Sequence, residues 1–211
     1  MLDTATLERI IEFHGHMCPG LAMGIRAAEV ALEQVGAHSA DEEVVAIVET
    51  DMCGVDAVQF LTGCTFGKGN LVHLDYGKNA YTFLRRSDGR ALRVSTRSGG
   101  WGGFDTERLT LFPKVSAGVA TPEERDRFFV LMKEHSQRIL ATPIDQIYDV
   151  REVDITPPPM ARVLASIDCA SCTEPTMETR IRRFEGNDLC PPCFEQAVAG
   201  TTPVALPSLR K

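Results

Sequence analysis

Two closely spaced cysteine pairs near the carboxyl terminus constrain the fold more than any other feature. Cys169 and Cys172 form one pair and Cys190 and Cys193 the other, each with two residues between its members. The segment between the pairs has the length of a hairpin, so four thiolates can surround one zinc ion tetrahedrally. A dithiol redox motif is the alternative, but two pairs at this separation favour structural zinc in a small treble-clef-like module. Four protein ligands leave no open position, so this site should stabilise and not catalyse.

Composition limits the environment and the partners. The 211 residues carry a formal net charge of −7, which argues against binding to a nucleic-acid backbone. The amino terminus has no secretory signal pattern, and no run reaches the roughly 20 apolar residues that span a bilayer. We therefore expect a cytoplasmic protein with no membrane partner. Thiols stay reduced there, so the seven cysteines indicate metal ligands or reactive thiols before disulfides.

The hydrophobic pattern predicts an α+β fold with a mixed or antiparallel sheet and flanking helices. Helical spacing of apolar residues occurs in segments 4–13, 20–35, 55–61 and 121–140. Strand-like runs occupy 43–50, 71–74, 80–86 and 91–96. The proline run after Thr156 cannot continue a helix or a central strand. We therefore predict a core domain over residues 1–156, and a linker with the zinc-finger domain over 157–211.

A second group of metal-binding residue types lies in the first third of the chain. His14, His16 and Cys18 fall within five residues at a predicted helix start, where the free amides favour a thiolate. Cys53 is expected between a strand and a helix, and Cys64 just beyond that helix. These groups could converge on one metal, or the cysteines could be small buried hydrophobes. The spacing alone leaves both interpretations open.

Other polar residues could belong to the same region. Asp56 and Gln59 share one side of a short predicted helix and could orient a ligand, or could be surface residues. Lys68 stands in a glycine-rich turn whose spacing does not match a phosphate-binding loop. It could reach the cluster or remain solvated. Trp101, flanked by glycines, could be a lid, a dimer contact or a plain surface residue.

Three motifs resemble the E-subunit family of formylmethanofuran dehydrogenase, in its form with a carboxyl-terminal zinc-finger domain. They are FHGHMCPGLA at 13–22, CGVDAVQ at 53–59 and TGCTFGKGNL at 62–71. The resemblance implies an α+β core with a polar, metal-binding cleft. It also implies a homodimer that exchanges its zinc domain, and association with a molybdenum or tungsten enzyme that reduces CO2 to formylmethanofuran. No specific small-molecule ligand follows from it.

By motif position, the resemblance implies a site of eight residues. Its expected metal ligands are His16, Cys18 and Cys53, and its expected catalytic residues are His14, Asp56, Gln59, Cys64 and Lys68. Cys64 would be a fourth ligand or a nucleophile, Lys68 would stabilise an anionic substrate, and Asp56 would act as a base or orient a ligand. Sulfur-rich ligands admit zinc, iron or copper, with zinc or iron favoured.

Three hypotheses about function follow. The first is a metal-dependent accessory subunit or stand-alone enzyme in one-carbon or molybdenum-linked metabolism, such as an oxidoreductase subunit. The second is a metal-sensing, chaperone or regulatory zinc-finger protein. The third is a purely structural subunit.

Overall fold

The chain divides into two compact units, Met1–Ala161 and Arg162–Lys211. A computed structural model describes residues 2–36, 41–101 and 105–200. The predicted boundary at residues 156–157 lies close to this division. Residues just beyond it are tied to the first unit, because Arg86 donates a 2.7 Å hydrogen bond to the carbonyl of Pro158 and the amide of Ala161 donates one to Glu42.

A mixed five-stranded sheet forms the centre of the first unit. Its strands are β1 (Val44–Val48), β2 (Leu71–His73), β3 (Ala80–Arg85), β4 (Ala91–Thr96) and β5 (Tyr148–Glu152). Their order is β2-β1-β3-β4-β5, and β1 pairs in parallel only with β2 while the other pairs are antiparallel. The β-branched run of β1 therefore lies inside the sheet, as its composition predicts. The sequence did not predict β5.

Helices flank this sheet, and their ends follow the capping residues of the sequence. They are α1 (Thr4–His14), α2 (Pro19–Gln34), α3 (Gly54–Thr62), α4 (Thr106–Ser116), α5 (Pro122–Ala141) and α6 (Ile144–Ile147). Gly15 ends α1 in the left-handed conformation, with φ at 96°. Thr121 and Glu124 form the predicted capping box of α5. No helix in the described ranges is long and apolar enough to cross a membrane.

A close contact between α2 and α3 determines where the site can form. A β-carbon added to Gly24 would lie 2.1 Å from the carbonyl oxygen of Gly54, and one added to Gly54 would lie 2.5 Å from the hydroxyl of buried Tyr81. Only glycine allows two backbones to approach so closely. This contact brings the start of α3 against the first turns of α2, so Cys18 and Cys53 lie near each other.

The second unit has two small hairpins followed by a helix. Strands β6 (Ser166–Asp168) and β7 (Pro175–Met177) pair antiparallel, as do β8 (Arg182–Phe184) and β9 (Asn187–Leu189), and α7 (Pro191–Ala199) follows. Cys190 is the N-cap of α7, with Pro191 at its first position. The sequence predicted this order of elements. Its apolar core is small, so the fold needs another source of stability.

Candidate metal centres

The four carboxyl-terminal cysteines converge on one point, as predicted. The sulfur atoms of Cys169, Cys172, Cys190 and Cys193 all lie within 4.8 Å of one another. Burial of Cys169 disfavours its thiolate, but backbone N–H groups, among them that of Cys190 at 3.3 Å, outweigh burial and lower the pKa of Cys169 to about 6. Four sulfurs at these distances fit a tetrahedral ion such as zinc, without a free position.

A second set of donor atoms comes together at the junction of α1 and α2. One ligand atom each from His14, His16 and Cys18 lies within 4.8 Å of the others. The left-handed turn at Gly15 lets the last residue of α1 face the N-cap of α2. Cys18 is buried and His16 is exposed, so the group runs from the interior to the surface. We call these three residues the amino-terminal cluster.

Asp56 orients one imidazole of this cluster. Its carboxylate lies 2.7 Å from Nδ1 of His14 and accepts a hydrogen bond from it. In the neutral ring this bond fixes the proton on Nδ1 and leaves the lone pair of Nε2 available. Nε2 lies 4.0 Å from the sulfur of Cys18, a separation that two ligands of one metal ion can have. A carboxylate, an imidazole and a metal commonly form such a chain. His14 therefore has the geometry of a ligand as well as of the predicted catalytic residue.

The protonation of Cys18 differs from the sequence prediction. Its sulfur accepts a 3.3 Å hydrogen bond from the amide of Leu21, as expected at a helix start. Burial nevertheless raises the pKa of Cys18 to about 11, and nearby Cys53 adds to this effect. The expectation of a thiolate from the helix start alone was wrong, because desolvation outweighs the amides. A metal ion that binds here must displace a proton.

Cys53 lies beside the cluster, across one glycine. A β-carbon added to Gly20 would lie 3.8 Å from the sulfur of Cys53 and 3.9 Å from that of Cys18. The two sulfurs therefore flank Gly20 on the same side of α2. Cys53 is half-buried and forms the N-cap of α3. It could complete a metal site with the cluster, as the sequence indicated.

The structure does not bring Cys64 and Lys68 to this site. Helix α3, at 1.5 Å per residue, separates Cys53 from Cys64 by about 13 Å. The sulfur of Cys64 is fully buried and lies 3.3 Å from the carbonyl oxygen of Val44 at the start of β1. Lys68 donates instead to the carbonyl of Asp41. Gln59 is half-buried in α3 with no side-chain bond to the cluster.

A cavity of about 460 Å³ adjoins the sulfurs. His16, Cys18 and Cys53 line one part of it. The apolar part of its wall consists of Pro19, Gly20, Met52, Trp101, Phe112 and Met132. Two polar residues complete the lining, Arg108 from α4 and His135 from α5. Of the alternatives for Trp101, the structure supports a place over a pocket; residues 102–104 of its loop lie outside the described ranges.

Sequence reasoning missed Arg108 and His135. Nothing distinguished His135 from any other residue of a long amphipathic helix. Arg108 belongs to α4, which was not predicted because a glycine-rich loop precedes it and Pro113 lies inside it. The one available signal was the three-residue spacing of Met132 and His135, which puts both on one face of α5.

The α+β core with a cysteine- and histidine-lined cavity and a four-cysteine module defines a class of proteins with candidate metal sites. The family model described as "FmdE, Molybdenum formylmethanofuran dehydrogenase operon" matches residues 13–149. The chain therefore belongs to the FmdE family. This confirms the resemblance carried by the three motifs.

Two relatives extend the comparison. A "Probable S-adenosyl-L-methionine-binding protein" of Archaeoglobus fulgidus is 36% identical over 186 residues, which are 85% of this chain and 50% of that protein. The chain thus spans about half the length of this relative. The crystal structure of an FmdE-like protein of tungsten formylmethanofuran dehydrogenase, from Syntrophus aciditrophicus, shares 26% identity. It aligns over 89% of each chain with a TM-score of 0.58.

Proposed function

We propose that this FmdE-family protein is a metal-dependent enzyme, or the metal-binding accessory subunit of one, that acts on a small molecule in the cavity beside Cys18. Convergence of His14, His16 and Cys18 at the edge of that cavity carries the proposal. A structural site has no need of an adjoining cavity, whereas a catalytic site needs an open coordination position next to one. One-carbon or molybdenum-linked metabolism is the context that the family name supports.

The donor set fits a transition metal better than a hard cation. Imidazole and thiolate suit zinc, iron and copper, whereas magnesium and calcium require oxygen ligands. Zinc or iron is the proposed metal, held by Cys18 and His16 with Cys53 or His14. Once bound, it would supply Lewis-acid chemistry or, if iron, electron transfer.

The residues of the chain have separate roles in this proposal. Asp56 holds the ring of His14 through Nδ1 and raises the basicity of Nε2, so it positions a ligand. Gly20 keeps the space between the two sulfurs free of a side chain. The apolar wall around Trp101 excludes water from the bound substrate. Homodimerisation with an exchanged zinc domain and assembly with molybdenum or tungsten subunits remain part of the proposal through the family alone.

A second candidate is binding of S-adenosyl-L-methionine, the ligand in the name of the A. fulgidus relative. The cavity volume of about 460 Å³ falls within the usual range for small-molecule sites and favours this candidate. Isothermal titration of the full chain with S-adenosyl-L-methionine tests it. Binding that disappears in Met132→Trp, which fills the cavity, would support it. Binding that survives this change, or no binding, would leave that ligand to the other half of the relative.

Elemental analysis of anaerobically purified protein tests the principal proposal. The wild-type chain is expected to hold two metal ions, and the Cys18→Ser/Cys53→Ser variant one. Cys64→Ser is the matched control, because Cys64 is buried but belongs to neither cluster of the described residues. This control should keep both ions.

The outcomes separate the competing functions. One ion in all three proteins would leave only the carboxyl-terminal zinc and overturn the proposal. A second ion closed off by thiolates and exchanged readily with solution metal would favour metal sensing or regulation. Copurification with a large redox enzyme, without activity of the isolated chain, would favour the accessory-subunit form.

A further inference from the structure

The wall of the cavity opposite the sulfurs carries two polar groups that the proposed metal site does not use. They come from α4 and α5, outside the three family motifs. His135 is 2% exposed, and its Nδ1 has no hydrogen-bond partner among the described residues. Nε of Arg108 is also buried without a partner there. Buried polar atoms in proteins are nearly always paired, so two unpaired atoms beside one cavity indicate a missing partner.

The hydrogen bonding of His135 defines what that partner must offer. Nε2 lies against the carbonyl oxygen of Trp101, and since a carbonyl only accepts, Nε2 carries the proton. In the neutral ring, Nδ1 is then an acceptor. Burial, together with the charge of Arg108, lowers the pKa of His135 and keeps the ring neutral. A molecule that satisfies Nδ1 must therefore present an O–H or N–H group.

Arg108 imposes a second requirement. Its side chain contacts the sulfur of Met132 at 4.0 Å, which is a weak acceptor for a guanidinium. No Asp or Glu is among the residues that line the cavity in the described structure. The charge of Arg108 is therefore not balanced by a carboxylate of the cavity wall. A guanidinium in such a place pairs well with a carboxylate or another planar anion.

The remaining wall is apolar. Met52 and Phe112 are 56% and 53% exposed although both line the cavity, so they offer apolar area that a bound molecule would cover. Trp101 is half-buried beside them. The cavity thus combines an apolar surface, one cation and one hydrogen-bond acceptor.

We propose that the cavity binds an organic acid with an apolar body, whose carboxylate pairs with Arg108 and whose hydroxyl or N–H group donates to Nδ1 of His135. The inference deepens the proposed function, on which it rests, by naming the substrate class. Both contacts hold the molecule from the α4–α5 side and leave its other end facing Cys18 and Cys53. S-adenosyl-L-methionine, which carries a carboxylate and N–H groups, belongs to the same chemical class.

Three simple compounds separate the two contacts. 3-Phenyllactate has the carboxylate, the hydroxyl and an apolar ring; 3-phenylpropionate lacks the hydroxyl, and 3-phenyllactamide lacks the charge. Trp101 is the only tryptophan of the chain, so its fluorescence, excited where a phenyl ring does not absorb, reports on the cavity. Isothermal titration calorimetry of the metal-loaded full chain gives an independent Kd.

The wild-type protein should bind 3-phenyllactate about tenfold or more tightly than the amide, because a charge-assisted bond is lost. It should prefer 3-phenyllactate to 3-phenylpropionate about fivefold, because Nδ1 stays unsatisfied otherwise. Arg108→Gln should abolish the first preference and keep the second, and His135→Phe should do the reverse. Arg125→Gln, an exposed change on α5, should keep both preferences.

Several results would overturn the inference. They are absence of both fluorescence change and heat, equal binding of acid and amide, or a preference for the acid that survives Arg108→Gln because the metal itself captures the carboxylate. If His135→Phe fails to unfold cooperatively, the wild-type comparison of the hydroxyl and deoxy acids still decides the second contact. Metal analysis of the same samples separates the two proposals: a metal-loaded protein without these preferences retains the metal site and loses only the ligand assignment.

Discussion

The two cysteine clusters of this protein differ in how much of the chain is needed to build them. The carboxyl-terminal cluster draws four like ligands from about 25 residues of local hairpins. The amino-terminal cluster takes His14 from α1, Cys18 from α2 and the orienting Asp56 from α3. Its geometry therefore depends on the packing of three helices.

The difference explains why one cluster stabilises and the other is suited to chemistry. A site closed by four thiolates supplies folding free energy to a unit with a small core, and it excludes other ligands. The mixed cluster lies in a unit whose core of helices and sheet is already extensive, so it is free to keep an open position. Stability comes from the metal in one region, and the metal geometry comes from the fold in the other.

Removing one ligand from the closed site should have the largest effect. Cys190→Ser is expected to release the zinc and unfold residues 162–200, because zinc-finger modules gain about 10–16 kcal/mol of apparent metal-binding free energy. Limited proteolysis with mass spectrometry would locate new cleavage in this unit and none in the core. Protection that survives the substitution would contradict the closed-site interpretation.

Disturbing the contact between α2 and α3 should be the next largest effect. Gly24→Val puts a side chain where even a β-carbon lies 2.1 Å from a backbone oxygen. The free energy of unfolding of the core should fall by about 3 kcal/mol or more, and the amino-terminal metal should be lost while the other is kept. Chemical denaturation and metal analysis measure both. Gly67→Ala is the control, since its β-carbon meets nothing within 4 Å.

Asp56→Asn should weaken the open site without unfolding the protein. Loss of the carboxylate that holds His14 is expected to reduce affinity for the amino-terminal metal about 10–100-fold. Competition with a chelator measures the change. Asp51→Asn, which alters an exposed neighbour of Cys53, should leave affinity unchanged. Equal loss in both variants would mean that general charge, and not orientation of His14, matters.

The smallest effect concerns acid sensitivity of the cavity wall. The folded-state pKa of His135 is lowered by burial, so the unfolded chain binds a proton that the folded chain does not. This contribution to stability is complete above the ordinary histidine pKa and is lost as the pH falls below it. Denaturation at about pH 7.5 and about pH 5.5 should therefore show a smaller loss of stability for His135→Phe than for wild type. His73→Gln, at an exposed position, should match wild type.

Local spacing made the closed site fully predictable, and part of the open site as well. Both cysteine pairs and the run from His14 to Cys18 are short-range patterns, and each forms a cluster in the structure. The fold class and the ends of α1, α2 and α5 also followed from periodicity and capping residues. The protonation of Cys18 did not, because helix-start amides are visible in a sequence but burial is not.

Long-range packing accounts for what the sequence did not predict. The pairing of Asp56 with His14 spans 42 positions, and no periodic pattern encodes it. Motif order put Cys64 near Cys53, but a helix of nine residues separates them. Strand β5 has few buried residues and gave no alternating signal. Arg108 and His135 reach the cavity only because α4 and α5 pack beside the sheet.

The position of His14 at the very end of α1 has a consequence for the motions of the amino terminus. Ile10 is the one residue of α1 that is fully buried, so this helix is held weakly and should open independently of the core. A metal ion bound to His14 and Cys18 would join α1 to the first turn of α2. Occupancy of the site would then slow amide hydrogen exchange along α1 and make this helix an internal reporter of whether metal is bound.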